Sequence, residues 1–329
     1  MLKNEWTPLR RMNPRLTQPV LCNYYITTKC NAACVFCDIQ TDQGQHADPE
    51  AVHRNLADLR KLGVRFIDFT GGEPLLHPFL PEFLRAAKTL GFLSTVTTNC
   101  LLYPKRAREI AGLVDLLHFS LDSPVAREHD AIRGVPSFDN VMQSLDIAES
   151  INEKPDILFT VTDSNVGRLG EMIRFARKRR LILIVNPVFE YFGNPHSGKA
   201  VLDAVRASTS ESYVYVNRGI LRLMKRGGNQ VASPRCRSVS CTVVISPDDR
   251  LLLPCYHRAV AGFPIRGTLV DLVRGQKVRR FHKQEGRFEF CEGCAISCYF
   301  DPSFTAGTDD YVLLGLVSKM KYVWDKYVR

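Results

Sequence analysis

Residues 30–37 read Cys30-Asn31-Ala32-Ala33-Cys34-Val35-Phe36-Cys37. The thiols stand four and three residues apart, a spacing at which one tight loop can aim three thiolates at a point. A cubane iron–sulfur cluster has four irons, and closed clusters of this kind take four cysteines. Structural zinc sites also take four ligands. A set of three with no fourth Cys or His beside it points to a cluster with one iron left open for chemistry. The competing readings are a zinc knuckle and three unrelated thiols.

Working outward, residues 23–28 (Asn-Tyr-Tyr-Ile-Thr-Thr) form a β-rich run that would deliver the loop from a strand end. A second such run at 65–70 leads into Gly71-Gly72-Glu73-Pro74. The two motifs in this order, CxxxCxΦC and then GGEP, resemble the radical S-adenosylmethionine (radical SAM) superfamily. That resemblance implies a [4Fe–4S] cluster on Cys30, Cys34 and Cys37, with SAM chelated to the open iron. One electron would then break the C5′–S bond, and the 5′-deoxyadenosyl radical would take hydrogen from an unactivated C–H. The resemblance also implies roles for single residues. Gly71, Gly72, Glu73 and Pro74 would receive the methionine amino group, and Arg133 its carboxylate. Asn99, Ser120, Asp122 and Asn165, at strand tops, would hold ribose and carboxylate, and Phe36 would lie beside the adenine. Each polar assignment competes with a simple cap or turn hydrogen bond.

Eleven cysteines in 329 residues is a high count. Without a secretory signal, such clustering reads as metal binding rather than disulfides, and the cytoplasm is the expected location. No run approaches 18 apolar residues, so no transmembrane helix is expected. The net charge of +10 suits an acidic substrate, a nucleic acid or an anionic membrane, or else only a basic solvated surface. Nucleic acid is disfavoured, since no basic stretch is interleaved with aromatics.

The pattern from residue 20 alternates strand and helix. Strands are expected near 23–28, 65–70, 93–98, 116–121, 157–162 and 181–185, with helices at 50–62, 81–90, 104–112, 137–151 and 169–180. Six such repeats argue for an α/β fold with a parallel sheet. The resemblance makes it a partial (β/α)6 TIM-like barrel with its site at the strands' carboxyl ends. Further helices are expected at 200–207 and 213–226. The domain division is an arm at 1–18, a radical SAM core at 19–228, a cysteine-rich domain at 229–300 and an amphipathic helix at 301–329. That last helix either packs on its own domain or makes a peripheral membrane contact.

The cysteine-rich region holds Cys236, Cys241, Cys255, Cys291, Cys294 and Cys298. A β-hairpin over 242–254 precedes Cys255, and Cys291-Glu292-Gly293-Cys294 is a chelating CxxC unit. This resembles the short "twitch" form of the auxiliary-cluster module, or a reduced SPASM form. One auxiliary [4Fe–4S] cluster is expected, on Cys236, Cys255, Cys291 and Cys294, with Cys241 and Cys298 as alternates. A zinc site built from the same residues is the competing reading. Cys22 and Cys100 read as buried thiols.

An auxiliary cluster can accept an electron from a substrate radical. The expected activity is therefore oxidative C–H modification of a biosynthetic small molecule, with flavodoxin or ferredoxin as electron donor. The chain as a whole is also similar to the radical SAM enzymes that oxidise a ring methyl of bacteriochlorophyllides. A peptide- or protein-modifying enzyme is the alternative, and a non-catalytic iron–sulfur or zinc protein on nucleic acid the distant one. Tyr191, His196 and His257 are candidate substrate contacts.

Overall fold

In β1 (Leu21–Thr27), alternation divides the chain between two environments. Cys22, Tyr24 and Ile26 enter the main apolar core, while Asn23 and Tyr25 face the other way. The computed structural model describes residues 18–41, 44–190, 197–307 and 309–329. Tyr191, His196 and residues 1–17 of the expected arm lie outside the described residues.

Six parallel strands follow β1, each reached through helices. α1 (Pro49–Lys61) leads to β2 (Phe66–Gly71), α2 (Leu80–Thr89) to β3 (Leu93–Thr98), and α3 (Tyr103–Ile110) to β4 (Leu116–Ser120). α4 (Ala126–Arg133) and α5 (Phe138–Ser150) lead to β5 (Asp156–Val161), α6 (Leu169–Arg179) to β6 (Leu183–Pro187), and α7 (Lys199–Ala207) to β7 (Val214–Tyr215). Each strand pairs in parallel with the next. The result is a mixed α/β fold with a parallel sheet, as the alternation predicts, and a partial TIM-like barrel, as the resemblance implies. Local signals explain the boundaries. Asp48 Oδ2 accepts from Ala51 N at 2.9 Å to cap α1, Pro49 occupies its first turn, and Gly63 follows its end at φ +88°.

The helices cover one face of the sheet, where Phe69, Val96, Phe119, Phe159 and Val185 are buried. The inner face is different. Asp68, Thr70, Thr95, Thr97, His118, Thr160 and Asn186 are polar and only half-buried. A closed TIM barrel fills its interior with branched apolar side chains; this interior is lined for hydrogen bonding.

Beyond β7 the chain forms α8 (Arg218–Lys225), α9 (Ser238–Cys241), β8 (Thr242–Ser246), β9 (Arg250–Leu253) and β10 (Ala261–Pro264). Four helices complete it: α10 (Leu269–Arg274), α11 (Gln276–Gln284), α12 (Ser297–Thr305) and α13 (Asp310–Val323). β8 docks parallel to β1, and β9 and β10 add antiparallel partners. The sheet order is β10-β9-β8-β1-β2-β3-β4-β5-β6-β7. The cysteine-rich hairpin thus extends the barrel's own sheet.

Three expectations change. The helix read from 213 starts at Arg218, because Asn217 Oδ1 accepts from Gly219 N and Ile220 N and frees 214–215 to join the sheet. α4, β10, α10 and α11 were not foreseen, since their short or polar stretches give little periodicity. The tail is two helices, with α12 ending before Asp309 caps α13.

Candidate functional site

The three-cysteine loop leaves the carboxyl end of β1 and is held mainly by backbone. Gly72 N donates to Thr27 O (2.9 Å) and Glu73 N to Lys29 O (2.8 Å). A Cβ on Gly71 would sit 1.8 Å from Thr27 O, and one on Gly72 2.1 Å from Lys29 O. The Gly-Gly pair is therefore demanded by chain threading against the cysteine loop. On the other side, Ala33 N donates to Arg133 O and Val35 N to Ile132 O, both at 3.0 Å. The end of α4 grips the loop between the cysteines.

Polar side chains join this loop to the strand ends. Glu73 is buried; its Oε1 accepts from Leu75 N (3.0 Å) and Thr98 Oγ1 (2.8 Å), and its Oε2 from Asn99 N (2.8 Å). Burial raises its pKa to about 7, against the pull of these donors. Asn99 Nδ2 donates to Asn31 Oδ1 at 2.8 Å, tying strand β3 to the loop. Arg133 Nη2 lies 2.6 Å from Asp122 Oδ2, its Nη1 donates to Cys34 Sγ at 3.6 Å, and its guanidinium lies 5.5 Å from the Phe36 ring centroid. Burial opposes the Arg133 charge, but Asp122 and Cys34 outweigh it and hold the guanidinium protonated. Burial pushes the Asp122 carboxyl up, with Arg133 pulling it down.

The expected site residues therefore divide. Phe36, Gly71, Gly72, Glu73, Pro74, Asn99, Asp122 and Arg133 surround the Cys30–Cys34–Cys37 loop. Ser120 is buried at the end of β4. Asn165 ties strand ends together. Its Nδ2 donates to Asp122 O (3.1 Å) and Thr160 O (2.9 Å), and its Oδ1 accepts from Thr162 N (2.8 Å).

His129 buttresses the same network. Its Nδ1 accepts from Asp122 N at 3.1 Å, which requires that nitrogen unprotonated, and its Nε2 meets Ser137 Oγ at 3.1 Å. Burial, helped by Arg133, lowers its pKa from 6.5 to about 3. The folded state then holds fewer protons than the unfolded chain between these values. The contribution is full above the unfolded pKa and is lost as pH falls. The slope from this group is about 1.4 kcal/mol per pH unit. His129→Gln is expected to make urea-unfolding stability fall less steeply between neutral pH and about 4; an unchanged slope would remove His129 as its source.

A second cavity lies in the cysteine-rich region. Cys236, Cys255, Cys291 and Cys294 all line it, with Arg258 and Phe290. Cys241 and Cys298 are not among its walls. Cys241 ends α9, and Cys298 Sγ lies 4.0 Å from His257 Nε2. Burial pushes the thiols of Cys291 and Cys294 up to about 11 and that of Cys236 up to about 12. Such a dry thiol group suits a cationic cluster that deprotonates its ligands. Four thiols on one cavity are the ligand number of a cubane and also of a structural zinc site.

Asn229, which the sequence reading missed, organises this cavity. Its fully buried side chain donates from Nδ2 to Gly286 O (2.8 Å) and Cys291 O (3.1 Å). Its Oδ1 accepts from Arg235 N (2.9 Å) and Cys236 N (3.2 Å). Its backbone exchanges bonds with Cys294 O (2.9 Å) and Gly293 N (2.8 Å). The sequence signal was the preceding Gly228: at φ +84° its Cβ would sit 1.9 Å from Gly293 O. That close approach lets a CxxC unit lie against the turn.

An aromatic cluster lies beside the second cysteine set and reaches toward the first. Tyr25, Val244, Cys255, Ile296 and Tyr299 form a buried cluster. Ile39, two residues past Cys37, packs on it, as do Cys236, Cys294 and Cys298. Tyr25 stacks on Tyr256 with centroids 3.7 Å apart. His257 stands edge-on to Phe189, Tyr256 and Tyr299, and burial lowers its pKa to about 4, leaving a neutral imidazole.

Comparison with known proteins agrees with this geometry. Residues 24–176 match the family model described as Radical SAM superfamily. The GTP 3′,8-cyclase of Chlorobaculum tepidum is 38% identical over 128 residues, covering 37% of this chain and 38% of that protein. The chain thus spans well under half the length of that relative. A probable GTP 3′,8-cyclase of Sulfurisphaera tokodaii is 24% identical over 271 residues, 76% of this chain and 84% of that one. Among solved structures, native anSMEcpe with bound AdoMet and the Cp18Cys peptide has a TM-score of 0.62 at 17% identity. That likeness covers 93% of this chain and 97% of that one and shows the shared fold. The family match, the partial barrel and the cysteine loop at its strand ends fall on the same stretch: residues 24–176, a little under half of the chain, are similar to the Radical SAM superfamily.

Proposed function

We propose that the chain is a radical SAM enzyme that modifies an unactivated C–H bond of a biosynthetic small molecule. Cys30, Cys34 and Cys37 would hold the SAM-binding [4Fe–4S] cluster, and Cys236, Cys255, Cys291 and Cys294 an auxiliary one. The observation that carries this reading is the three-cysteine loop at the carboxyl end of β1, gripped by the Gly71–Gly72 crossing and by the end of α4. The aromatic cluster beside the second cysteine group reaches Ile39, two residues past Cys37, and supports a common substrate space.

Bound together, the first cluster and SAM supply hydrogen-atom abstraction. The protein's own groups bind and orient. Gly71, Gly72, Glu73 and Pro74 form a rigid ledge beside the cysteine loop. Arg133 keeps a fixed positive charge beside Cys34 and Phe36, suited to a carboxylate. Asn99 locks the loop through Asn31. Ser120 and Asp122 close the strand-end side, and the buried Tyr25 and Tyr299 with the half-buried Tyr256 form a wall against water.

The basic surface suits a substrate carrying carboxylate or phosphate. The narrower expectation of bacteriochlorophyllide methyl oxidation, and the oxidoreductase class, draw no support from relatives named as GTP 3′,8-cyclases. A peptide substrate is the second reading, favoured by the peptide held in the anSMEcpe structure. No helix among the described residues is long and apolar enough to cross a membrane. A reducing compartment fits the free cysteines, and an electron donor such as flavodoxin or ferredoxin fits the redox chemistry.

Substrate-dependent release of 5′-deoxyadenosine tests the proposal. The anaerobically reconstituted protein would be given SAM, a reductant, and separated pools of polar metabolites, peptides, and pigments with lipids. A rise with polar metabolites or pigments is expected. A rise with the peptide pool alone would replace the small-molecule reading with the second one. Absence of any SAM cleavage would end both.

A further inference from the structure

α13 and the turn after it are oriented against the ordinary rule for a surface helix. The side facing the protein carries Tyr311, Gly315, Ser318, Tyr322 and Asp325. Arg218 N donates to Ser318 Oγ at 3.1 Å. Polar bonds fasten the rest. Tyr322 Oη donates to Asp156 Oδ2 (2.6 Å), Lys326 Nζ to Asp156 Oδ1 (2.7 Å), and Tyr213 N to Asp325 Oδ2 (3.0 Å).

The outward side is apolar. Every exposed residue between 311 and 328 is a hydrophobe: Leu313, Leu316, Val317, Met320, Val323, Trp324, Tyr327 and Val328, all between 47% and 65% exposed. These are eight of the fourteen exposed large hydrophobics among the described residues. Water would turn a free amphipathic helix the other way. The exposed area is on the order of 800 Å², above the 300–600 Å² of the largest patch on a typical monomer and close to what each partner of a standard interface buries.

We propose that this face is the seam of a homodimer, each copy laying its α13 against the other's. Within α13, Leu313, Val317 and Met320 recur at spacings of four and three residues, the repeat at which side chains of two facing helices interlock. Trp324, Tyr327 and Val328 continue the apolar side into the π-helical turn that follows. The seam carries no charge, so two copies of a chain of net charge +10 meet there without like charges opposed. A membrane is disfavoured because the cations that would flank a lipid-facing stripe are engaged by carboxylates. Lys321 and Lys326 turn inward onto Asp325 (2.6 Å) and Asp156 (2.7 Å), and the more exposed Lys319 and Arg329 pair with Asp301 (3.2 Å) and Asp325 (3.3 Å).

Sedimentation velocity on the full reconstituted chain at micromolar concentration is expected to show twice the monomer mass. Leu313→Glu and Met320→Glu should each raise the dimer dissociation constant about a hundredfold by opposing like charges in the seam. The double variant should be monomeric. Both side chains are exposed, so circular dichroism and melting temperature should match the parent. Val260→Glu, an exposed site off this helix, should leave the dimer intact. A wild-type monomer, or a dimer surviving in the double variant, overturns the proposal. So does a monomer that floats with phosphatidylcholine vesicles and loses flotation in the double variant, which would assign the face to lipid.

Discussion

Replacing Cys30, Cys34 and Cys37 together by Ala is expected to abolish SAM cleavage while the second cavity keeps its iron. The loop's shape does not depend on these side chains. Its grip comes from Ala33 N on Arg133 O, Val35 N on Ile132 O and the Gly71–Gly72 crossing, all backbone. The variant should therefore fold, and Cys236, Cys255, Cys291 and Cys294 line a cavity of their own. Iron should fall from about eight to about four per chain, as expected on losing one of two cubanes. The measurements are iron and sulfide content and 5′-deoxyadenosine formation. Retained cleavage in the triple variant would sink the assignment of this loop.

Asn229→Ala should produce the second large effect, at the other cluster. The substitution strands Gly286 O, Cys291 O, Arg235 N and Cys236 N in a buried turn. Each group left unpaired costs about 1–3 kcal/mol, so a loss of about 3 kcal/mol or more is expected. The cysteine-rich region should lose its iron first, because the same side chain holds Cys236 and Cys291 in register. Cys241→Ser and Cys298→Ser, whose sulfurs lie outside the cavity wall, should keep the full iron content. If either of these lost iron while Asn229→Ala kept it, the ligand set would have to be redrawn.

The alternating strands and helices and the three-cysteine loop were legible in the chain because their signals are local. Strand–helix alternation repeats within short windows. Cys30, Cys34 and Cys37 fall in one loop, and Gly71–Gly72 announces a close backbone crossing. Other features depend on residues far apart. Asn165 reads as a plausible ribose contact, and only the fold brings its amide to Asp122 and Thr160 of neighbouring strands. Asn229 reads as an ordinary residue after two glycines, since the cysteines it organises lie up to 65 residues away.

What the sequence by itself determined is the class of architecture, the open three-cysteine loop and the existence of a second cysteine group. These rest on spacing and periodicity, which chain geometry imposes locally. Only the tertiary structure decided which four of six cysteines share a cavity. It alone showed that the hairpin extends the barrel's sheet and that α13 turns its apolar face outward. Hydrophobic periodicity shows that a helix has an apolar side but not which way that side points. Direction is settled by the contacts on the opposite side, here Tyr322 and Lys326 on Asp156 and Ser318 against α8. Those contacts join residues a hundred or more positions apart, and no local pattern encodes them.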